Sequence, residues 1–235
     1  MKEVLVLFSG GKDSFLSTLI ALEKECKVHT VTFQNGLELK LKNVLIGAKR
    51  IQKKYGKDRI NIIGIKNIEA IWRELICEFY NWDIQSILNR FGKMTISQYN
   101  CLSCRLAMYI ASIIICKTNH IECVIDGARK SQLFAIEQPK MIQKFKQLFQ
   151  ENNLTIEYPL LYKDNDFQIK NEILARGFIP KMNEAQCLLG MPIAKDGVSQ
   201  EILEGMINVY DKYLYAKTKQ LINQYKNITF EGEYL

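Results

Sequence analysis

The sequence predicts an α/β fold, in which residues 1–190 form a doubly wound, mostly parallel sheet and residues 191–235 form a C-terminal helical extension. Strand patterns and helix patterns alternate from residue 4 to residue 176, as expected for right-handed βαβ crossovers. After Ser199 the pattern changes to a single long helix that runs to about Lys226, with Ser199 as its N-cap.

The strands are predicted from short apolar runs that end at glycine or polar residues. The first run, residues 4–8, is continuously apolar and is ended by glycines, which is typical of a strand buried on both faces of a parallel sheet. Further strands are predicted at 29–33, 60–65, 121–125 and 154–161, and helices at 14–25, 41–55, 68–80, 84–91, 102–117, 141–150, 167–176 and 199–226.

The composition argues against a membrane protein and against a secreted disulfide scaffold. No apolar run reaches the roughly 20 residues that a membrane span needs, and the longest, 108–116, is interrupted by Ser112 and predicts a buried helix. The first residues lead straight into a strand with no signal-peptide pattern. We therefore expect a cytoplasmic protein in which some of the seven cysteines serve metal or redox chemistry.

The net charge of +7 is concentrated near the N-terminus. Residues 1–60 hold twelve Lys or Arg and six acidic residues, and eight of those cations fall between Lys40 and Arg59, opposed only by Asp58. This basic cluster allows two interpretations. It is either a solvated helix face or an electrostatic patch that attracts a polyanion such as RNA.

A glycine turn between the first strand and the first helix predicts an anion site. The run is Ser9, Gly10, Gly11, Lys12, Asp13 and Ser14. Backbone N–H groups and a helix N-terminus converge at such a turn, and glycines allow phosphate oxygens to approach closely. Asp13 would repel a bare anion, so its presence indicates a Mg²⁺ ion that bridges it to phosphates.

This run resembles the SGGxDS signature of the PP-loop ATP pyrophosphatases, and it lacks the spacing of a Walker loop. The resemblance implies a Rossmann-like, adenine nucleotide α-hydrolase-like fold that binds ATP and Mg²⁺. It also implies cleavage of ATP to AMP and pyrophosphate while a substrate oxygen is adenylated. Lys12 and Asp13 are then the implied catalytic residues of the loop, and Phe33 marks the strand end that binds adenine.

Three cysteines suggest a second chemical step. Cys101 and Cys104 form a CxxC pair predicted just before a helix, whose dipole would favour thiolates, and Cys187 follows 83 residues later. The trio resembles that of the iron–sulfur-dependent tRNA thiolation enzymes. That resemblance implies a [4Fe-4S] cluster with one open iron. Two alternatives are a structural zinc completed by His120 or Cys123, and a catalytic persulfide or disulfide pair.

Residues 126–132 follow the predicted fourth strand, where ligands bind in open α/β sheets. Asp126 and Gly127 are candidates for the ATP site, with Asp126 holding Mg²⁺ or a ribose, and Arg129 and Lys130 are candidates for stabilising phosphate charge. The run lacks the Gly-His-x-x-Asp-Asp pattern of the thiolation enzymes and is closer to that of phosphoadenosine-phosphosulfate reductases. The alternative is a solvated basic loop.

The leading hypothesis is therefore an AMP- and pyrophosphate-forming sulfurtransferase or ligase that thiolates a nucleobase, with tRNA and a sulfur donor as partners. A second hypothesis keeps the enzyme and replaces tRNA by a small molecule, such as a nucleobase precursor or a cofactor. A third is an ATP-binding regulatory module without catalysis, against which the intact Lys12 and Asp13 argue. The final helix either packs on the core or forms a homodimer contact.

Overall fold

The computed structural model describes residues 1–39, 41–132, 134–181, 183–188 and 198–230. Its centre is a five-stranded sheet of β1 (Glu3–Leu7), β2 (Lys27–Gln34), β4 (Ile60–Asn67), β5 (Cys123–Ile125) and β6 (Thr155–Glu157). The strand order is β4-β2-β1-β5-β6, and every pairing is parallel. The predicted doubly wound parallel sheet is thereby confirmed.

Nine α-helices are described, and they cover both faces of the sheet. They are α1 (Lys12–Glu23), α2 (Val44–Tyr55), α3 (Glu69–Tyr80), α4 (Ile84–Phe91), α5 (Ile96–Asn119), α6 (Pro139–Gln150), α7 (Asp166–Ala175), α8 (Gln200–Val209) and α9 (Tyr215–Tyr225). A π-helical turn, Tyr210–Leu214, joins α8 to α9. The predicted final helix is confirmed as this stretch, and Ser199 Oγ accepts its capping bond from the Ile202 N–H at 3.3 Å.

The alternation of side chains along β1 divides the core into two layers. Val4 and Val6 face α1 and α2, whereas Leu5 and Leu7 face the layer that contains α3, α5, α6, α8 and α9. All four residues are buried, as predicted for a central parallel strand. Because β1 is the middle strand of the sheet, its C-terminal end and the loop that follows lie at the centre of the sheet edge.

Helix α5 begins at Ile96, six residues before the predicted start at 102. Thr95 Oγ1 caps it by accepting a hydrogen bond from the Gln98 N–H at 3.1 Å. By length and composition alone, α5 is the described helix that could cross a membrane, but 67% of its most apolar window is buried inside the protein. It is therefore the core helix that its apolar sequence predicts.

A short antiparallel ribbon, unpredicted from the sequence, brings a late segment back to the sheet. It consists of β3 (Glu38–Leu39) and β7 (Gln186–Cys187), in which Cys187 pairs with Glu38. The ribbon carries residues 183–188 across the C-terminal edge of the sheet. The predicted boundary between residues 190 and 191 lies outside the described residues and stays a prediction.

Candidate active site

Residues 9–14 connect β1 to α1, and two serine side chains hold the shape of this loop. Ser14 Oγ accepts a hydrogen bond from the Ser9 N–H (3.2 Å) and donates one to the Gly11 carbonyl oxygen (3.1 Å). The Gly11 N–H donates to Ser9 Oγ at 3.2 Å. Gly11 precedes α1 and has no side chain to cap it, so the positive end of the helix dipole is open to an anion.

Both glycines of the loop lie against residues 183–184. Gly10 has φ +78°, and a Cβ there would lie 2.8 Å from the Asn183 carbonyl oxygen. A Cβ at Gly11 would lie 2.7 Å from the carboxylate of Glu184, which also accepts a hydrogen bond from Ser9 Oγ at 3.4 Å. Burial raises the pKa of Glu184. This carboxylate therefore lies over the loop in the position expected for an anionic ligand.

Asp13 links the loop to the 126–132 segment. Its Oδ1 lies 2.9 Å from Arg129 Nε, and its Oδ2 accepts a hydrogen bond from Gln132 Nε2 at 2.8 Å. Arg129 also pairs with Asp166 at 2.7 Å, and Lys12 reaches the same carboxylate at 3.2 Å. Burial raises the pKa of Asp13, and Arg129 and Lys12 oppose that rise. Because both Asp13 oxygens face cationic or amide donors, a Mg²⁺ ion would share this carboxylate with them.

Asp126 is held by a buried network at the C-terminal end of β5. Its Oδ2 accepts hydrogen bonds from Arg105 (2.5 Å) and from the Tyr109 hydroxyl (2.7 Å), and its Oδ1 accepts one from the Ala128 N–H (3.0 Å). The Tyr109 hydroxyl also lies 3.1 Å from that of Tyr158. The network fixes Asp126 in the wall of the cavity described next and engages both of its oxygens.

A cavity of ≈ 230 Å³ lies between the 9–14 loop, the ends of β1, β2 and β5, and residues 184–187. The predicted site residues in its wall are Ser9, Asp13, Ser14, Phe33, Asp126, Gly127 and Cys187. Ligand pockets commonly measure about 300–1,000 Å³, so the cavity is small for a nucleotide while Glu184 occupies the loop. The 9–14 loop, where phosphate is predicted to bind, and Cys187 therefore line a single cavity.

The remaining predicted site residues lie outside that wall. Gly10 and Gly11 pack against Asn183 and Glu184, and Arg129 is buried against Asp13 and Asp166, as described above. Lys130 is exposed, and its backbone N–H donates a hydrogen bond to the Leu161 carbonyl oxygen at 2.9 Å. Its predicted role at phosphate stays a prediction.

Phe33 lies near the C-terminal end of β2 and is buried beside the loop. Its neighbour Thr32 donates a side-chain hydrogen bond to the Phe8 carbonyl oxygen at 2.6 Å, which ties β2 to the start of the loop. The placement of β2 next to β1 is what the resemblance implies for an adenine-binding strand. The adenine contact itself stays a prediction.

Cys101 and Cys104 lie in the second and third turns of α5, so the prediction that they precede the helix was wrong. Burial raises the pKa of Cys101 to about 12, and it raises the pKa of the Cys104 thiol as well. The Cys104 sulfur accepts a hydrogen bond from Asn35 Nδ2 at 3.2 Å. Cys187 lies within electrostatic range of both thiols, on the ribbon strand β7, and it lines the cavity whereas Cys101 and Cys104 do not.

Within the described ranges, no group of three or more His, Cys, Asp or Glu side chains is arranged to hold a metal ion. The donor set of three cysteines suits an iron–sulfur cluster, and the arrangement of a cluster stays a prediction. Neither His120 nor Cys123 lies where it could be the fourth ligand of a zinc ion bound by the three cysteines. His120 caps the far end of α5, about 24 Å along the helix from Cys104, and Cys123 lies at the N-terminal end of β5, whereas the cavity lies at the C-terminal ends of the strands.

The basic cluster between Lys40 and Arg59 divides into structural and exposed cations. Lys40 lies outside the described residues. Arg50, Lys54 and Arg59 donate hydrogen bonds to backbone carbonyl oxygens of other elements and so hold the fold together. Among the other cations of the cluster, Lys42, Lys53 and Lys57 are exposed. These three are the candidates for contact with a polyanion.

Several residues of the cavity wall were missed by sequence reasoning: Glu38, Arg105, Gln132, Glu137 and Glu184. Gln132 ends the 126–132 segment, and Arg105 directly follows Cys104, so both carried a local signal. Glu184 and Glu137 stand in no recognised pattern, and their positions depend on contacts between segments far apart in the chain.

A glycine-turned anion loop at the N-terminus of α1, on a parallel sheet of this order, defines a protein of the PP-loop class. The model of the family described as "Thiamine biosynthesis protein (ThiI)" matches residues 1–169. The chain therefore belongs to the ThiI family. No curated protein is similar enough in sequence to count as a relative.

Among solved structures, the chain is similar to a 4-thiouridine synthetase crystallised with RNA and bound ATP. The identity is 16% and the TM-score 0.59, over 94% of this chain and 53% of the synthetase, so the chain spans about half of that protein. It also matches a predicted subunit of tRNA methyltransferase from Methanocaldococcus jannaschii (17%, TM-score 0.45, 80% and 97% covered). A third match is the NMN synthetase of Francisella tularensis (9%, TM-score 0.46, 99% and 90% covered). At these identities the likeness concerns the fold.

Proposed function

We propose that this protein is an ATP-dependent sulfurtransferase that thiolates a nucleobase of tRNA. One observation carries the proposal: the 9–14 loop and Cys187 line the same cavity, so a nucleotide bound to the loop would lie near a cysteine sulfur. Membership of the ThiI family supports an ATP-using enzyme. A neighbour in fold that is named as a 4-thiouridine synthetase bound to RNA supports the choice of tRNA.

In the first step of the proposed reaction, the nucleobase carbonyl oxygen attacks the α-phosphorus of ATP, and pyrophosphate leaves. The 9–14 loop would hold the pyrophosphate end through the N–H groups at the start of α1. Lys12 would neutralise phosphate charge, and Asp13 would hold Mg²⁺ together with phosphate oxygens. In the second step, a sulfur nucleophile attacks the activated carbon and AMP leaves with the original carbonyl oxygen.

The three cysteines form the sulfur-delivery end of this proposal. A [4Fe-4S] cluster on Cys101, Cys104 and Cys187 would leave one iron open and could bind a sulfide from the sulfur donor. The raised thiol pKa values argue against free nucleophilic thiolates at Cys101 and Cys104, and a bound metal would have to displace their protons.

The adenylation step is tested by the products formed from ATP. Purified protein incubated with ATP, Mg²⁺ and unmodified bulk tRNA is expected to form AMP and pyrophosphate, and tRNA should stimulate the rate. Asp13→Asn should abolish the activity, whereas Asp211→Asn, an exposed substitution far along the chain, should not. Formation of ADP, or AMP formation that a small nucleobase stimulates and tRNA does not, would contradict the proposal.

The cluster is tested separately by anaerobic purification. We expect a brown protein with stoichiometric iron and sulfide, and loss of both in Cys101→Ala, Cys104→Ala or Cys187→Ala. Cys77→Ala is the matched control, because Cys77 is an exposed cysteine on α3. A colourless anaerobic preparation that contains stoichiometric zinc would exclude the cluster and leave the adenylation step in place.

The proposal also places the enzyme in the cytoplasm, where its tRNA substrate would be. The homodimer contact predicted for the final helices stays open as a proposal. Helices α8 and α9 bury Leu203, Met206, Val209 and Leu221 in the layer shared with α5, so one of their faces is already occupied.

A further inference from the structure

Glu137 is a buried acid in the cavity wall that has no part in ATP binding as proposed above. It ends a short 3₁₀ turn, Ala135–Glu137, and only 4% of the residue is exposed. Its Oε1 lies 3.7 Å from Arg105 Nη2, while its Oε2 is buried without a hydrogen-bond partner in the described part of the chain. A carboxyl group so placed is costly to bury and is not explained by packing.

The charged groups that act on Glu137 are Arg105 on α5, Asp13 on α1, and Asp126 and Arg129 in the segment after β5. Arg105 on α5 already donates to Asp126, so it cannot fully neutralise a second carboxylate. Burial is the largest influence and raises the pKa of Glu137 to about 8, with Asp126 and Asp13 acting in the same direction and Arg105 and Arg129 opposing them. We therefore expect Glu137 to be protonated at lower pH and to release its proton as the pH rises through about 8.

Glu137 lines the same cavity as Asp13 of the 9–14 loop, at the phosphate end, and Cys187, at the cysteine end. A substrate carbonyl placed for attack on ATP and later for attack by sulfur must lie between the same two ends. A carboxyl group at this point is within the region that the reacting base has to enter.

We propose that Glu137 is the general base of the activation step, and that it takes the proton from the lactam N–H beside the carbonyl that ATP adenylates. This inference rests on the proposed function. The lactam is the –NH–C(=O)– unit of a nucleobase. Such a unit becomes cationic when its oxygen is adenylated unless the neighbouring nitrogen loses its proton, so a base in the cavity lowers the barrier.

The electron count of the step is balanced. The carbonyl oxygen forms a bond to the α-phosphorus, and the bond from that phosphorus to the bridging oxygen breaks as pyrophosphate leaves with the electron pair. The N–H electron pair becomes the C=N bond, and its proton moves to the Glu137 carboxylate. The thiocarbonyl product carries an N–H again, so the same carboxylic acid can return the proton when AMP leaves.

The test compares Glu137→Gln and Glu137→Asp with the wild type. Glutamine retains the size and a hydrogen-bonding oxygen toward Arg105 but cannot accept the proton. We expect E137Q to bind ATP as the wild type does and to form AMP with tRNA roughly 100-fold or more slowly, the usual size of a general-base effect. The wild-type rate should rise with pH with a midpoint near 8, and E137Q should lose that dependence.

A second measurement needs no turnover. A component of the infrared band of protonated carboxyl groups should disappear from the wild type as the pH rises through about 8, and this component should be missing from E137Q. If E137Q does not fold, E137D provides the test. As a displaced base it should form AMP more slowly than the wild type, with a pH-dependent rate whose midpoint is shifted, and an E137D with the wild-type rate and midpoint would overturn the assignment.

The outcomes separate the two proposals. A wild type that forms AMP with tRNA, together with an E137Q of unchanged rate and pH profile, would overturn the assignment of Glu137 and leave the proposed function intact. A wild type that binds ATP but forms no AMP with tRNA would overturn the proposed function and the assignment that rests on it. If Glu137 acts only by holding Arg105 in place, E137Q should keep the wild-type rate and pH profile.

Discussion

At the scale of single residues, the carboxylate of Glu184 is the feature with the most direct consequence for nucleotide binding. It lies against Gly11 and Ser9 at the N-terminus of α1, where the triphosphate of ATP is expected to bind. A carboxylate and a phosphate cannot share this position, because both are anions and both are attracted by the same N–H groups. Binding of ATP therefore requires Glu184 to move.

Removal of the negative charge at this position should strengthen nucleotide binding. We expect Glu184→Gln to lower the dissociation constants of ATP and pyrophosphate about two- to fivefold, equivalent to the ~0.5–1 kcal/mol that a charge contributes at a helix N-terminus. Isothermal titration calorimetry measures the change. Glu122→Gln, an exposed substitution just before β5, is the control for net charge.

The difference in nucleotide affinity between the wild type and E184Q should become smaller as the pH falls. Burial raises the pKa of Glu184, so acidification protonates it in the free protein before an ordinary glutamate. The wild type should then approach the affinity of E184Q as the pH falls, and the gap should be widest at neutral and alkaline pH. Equal affinities of the two proteins at neutral pH would show that Glu184 does not compete with the nucleotide.

At the scale of elements, the packing of α8 depends on one glycine. Gly205 faces the turn after α4, and a Cβ at this position would overlap the backbone carbonyl of Lys93 and approach its carbon to 2.9 Å. Neither atom belongs to a flexible side chain, so one of the two segments would have to shift. The close approach also explains why a residue of low helix propensity lies in the middle of a helix.

We expect Gly205→Ala to destabilise the protein even though alanine favours a helix by about 1 kcal/mol over glycine. Overpacking of a buried contact costs about 1–3 kcal/mol, and overlap with backbone belongs at the upper end of that range. Urea denaturation measures the free energy of unfolding. Glu204→Ala, an exposed neighbour on the same helix, should leave it within about 0.5 kcal/mol, and an equally stable G205A would contradict the packing argument.

Elements whose signals are local could be predicted from the sequence, and those fixed by distant contacts could not. The apolar run of β1, the glycine turn and α1 are contiguous, so the anion site followed from residues 1–25. The start of α5 also carried a local signal that was missed, since Thr95 and Gln98 have the spacing of a capping box. The ribbon of β3 and β7 had no such signal, because each of its strands has two residues.

The same distinction explains what was missed in the site. Glu184 reaches Ser9 across 175 positions of sequence, and no periodicity or composition reports such a contact. Glu137 lies in a 3₁₀ turn that packs against α5, α6 and α8, so its position depends on contacts with helices from distant parts of the chain. The cysteine trio could be proposed from spacing, whereas the position of Cys101 and Cys104 within α5, and their partial burial there, followed only from the true start of the helix.

At the scale of the whole molecule, the charge distribution separates cations that hold the fold together from cations that can meet a partner. Arg50, Lys54 and Arg59 are engaged with backbone carbonyl groups, so their substitution would disturb the fold. Lys53 and Lys57 are exposed on α2 and just after it. If tRNA is the partner, these two lysines test the electrostatic patch without removing structural contacts.

The double substitution Lys53→Ala and Lys57→Ala should weaken tRNA binding and reduce its dependence on salt. Each phosphate contact contributes about 0.7–0.9 to the slope of log K against log salt, so loss of two contacts should make the slope shallower by nearly 2. Filter binding at several salt concentrations measures this slope. The protein's stability should stay unchanged, because neither side chain is buried.

The matched control removes the same charge elsewhere, through Lys140→Ala and Lys226→Ala, both of which are exposed. A general attraction between a protein of charge +7 and RNA would weaken equally in the two double variants. A localised patch would weaken only when Lys53 and Lys57 are lost. Equal losses would therefore reject the patch on α2, and an unchanged slope in the first variant would show that tRNA contacts another face of the molecule.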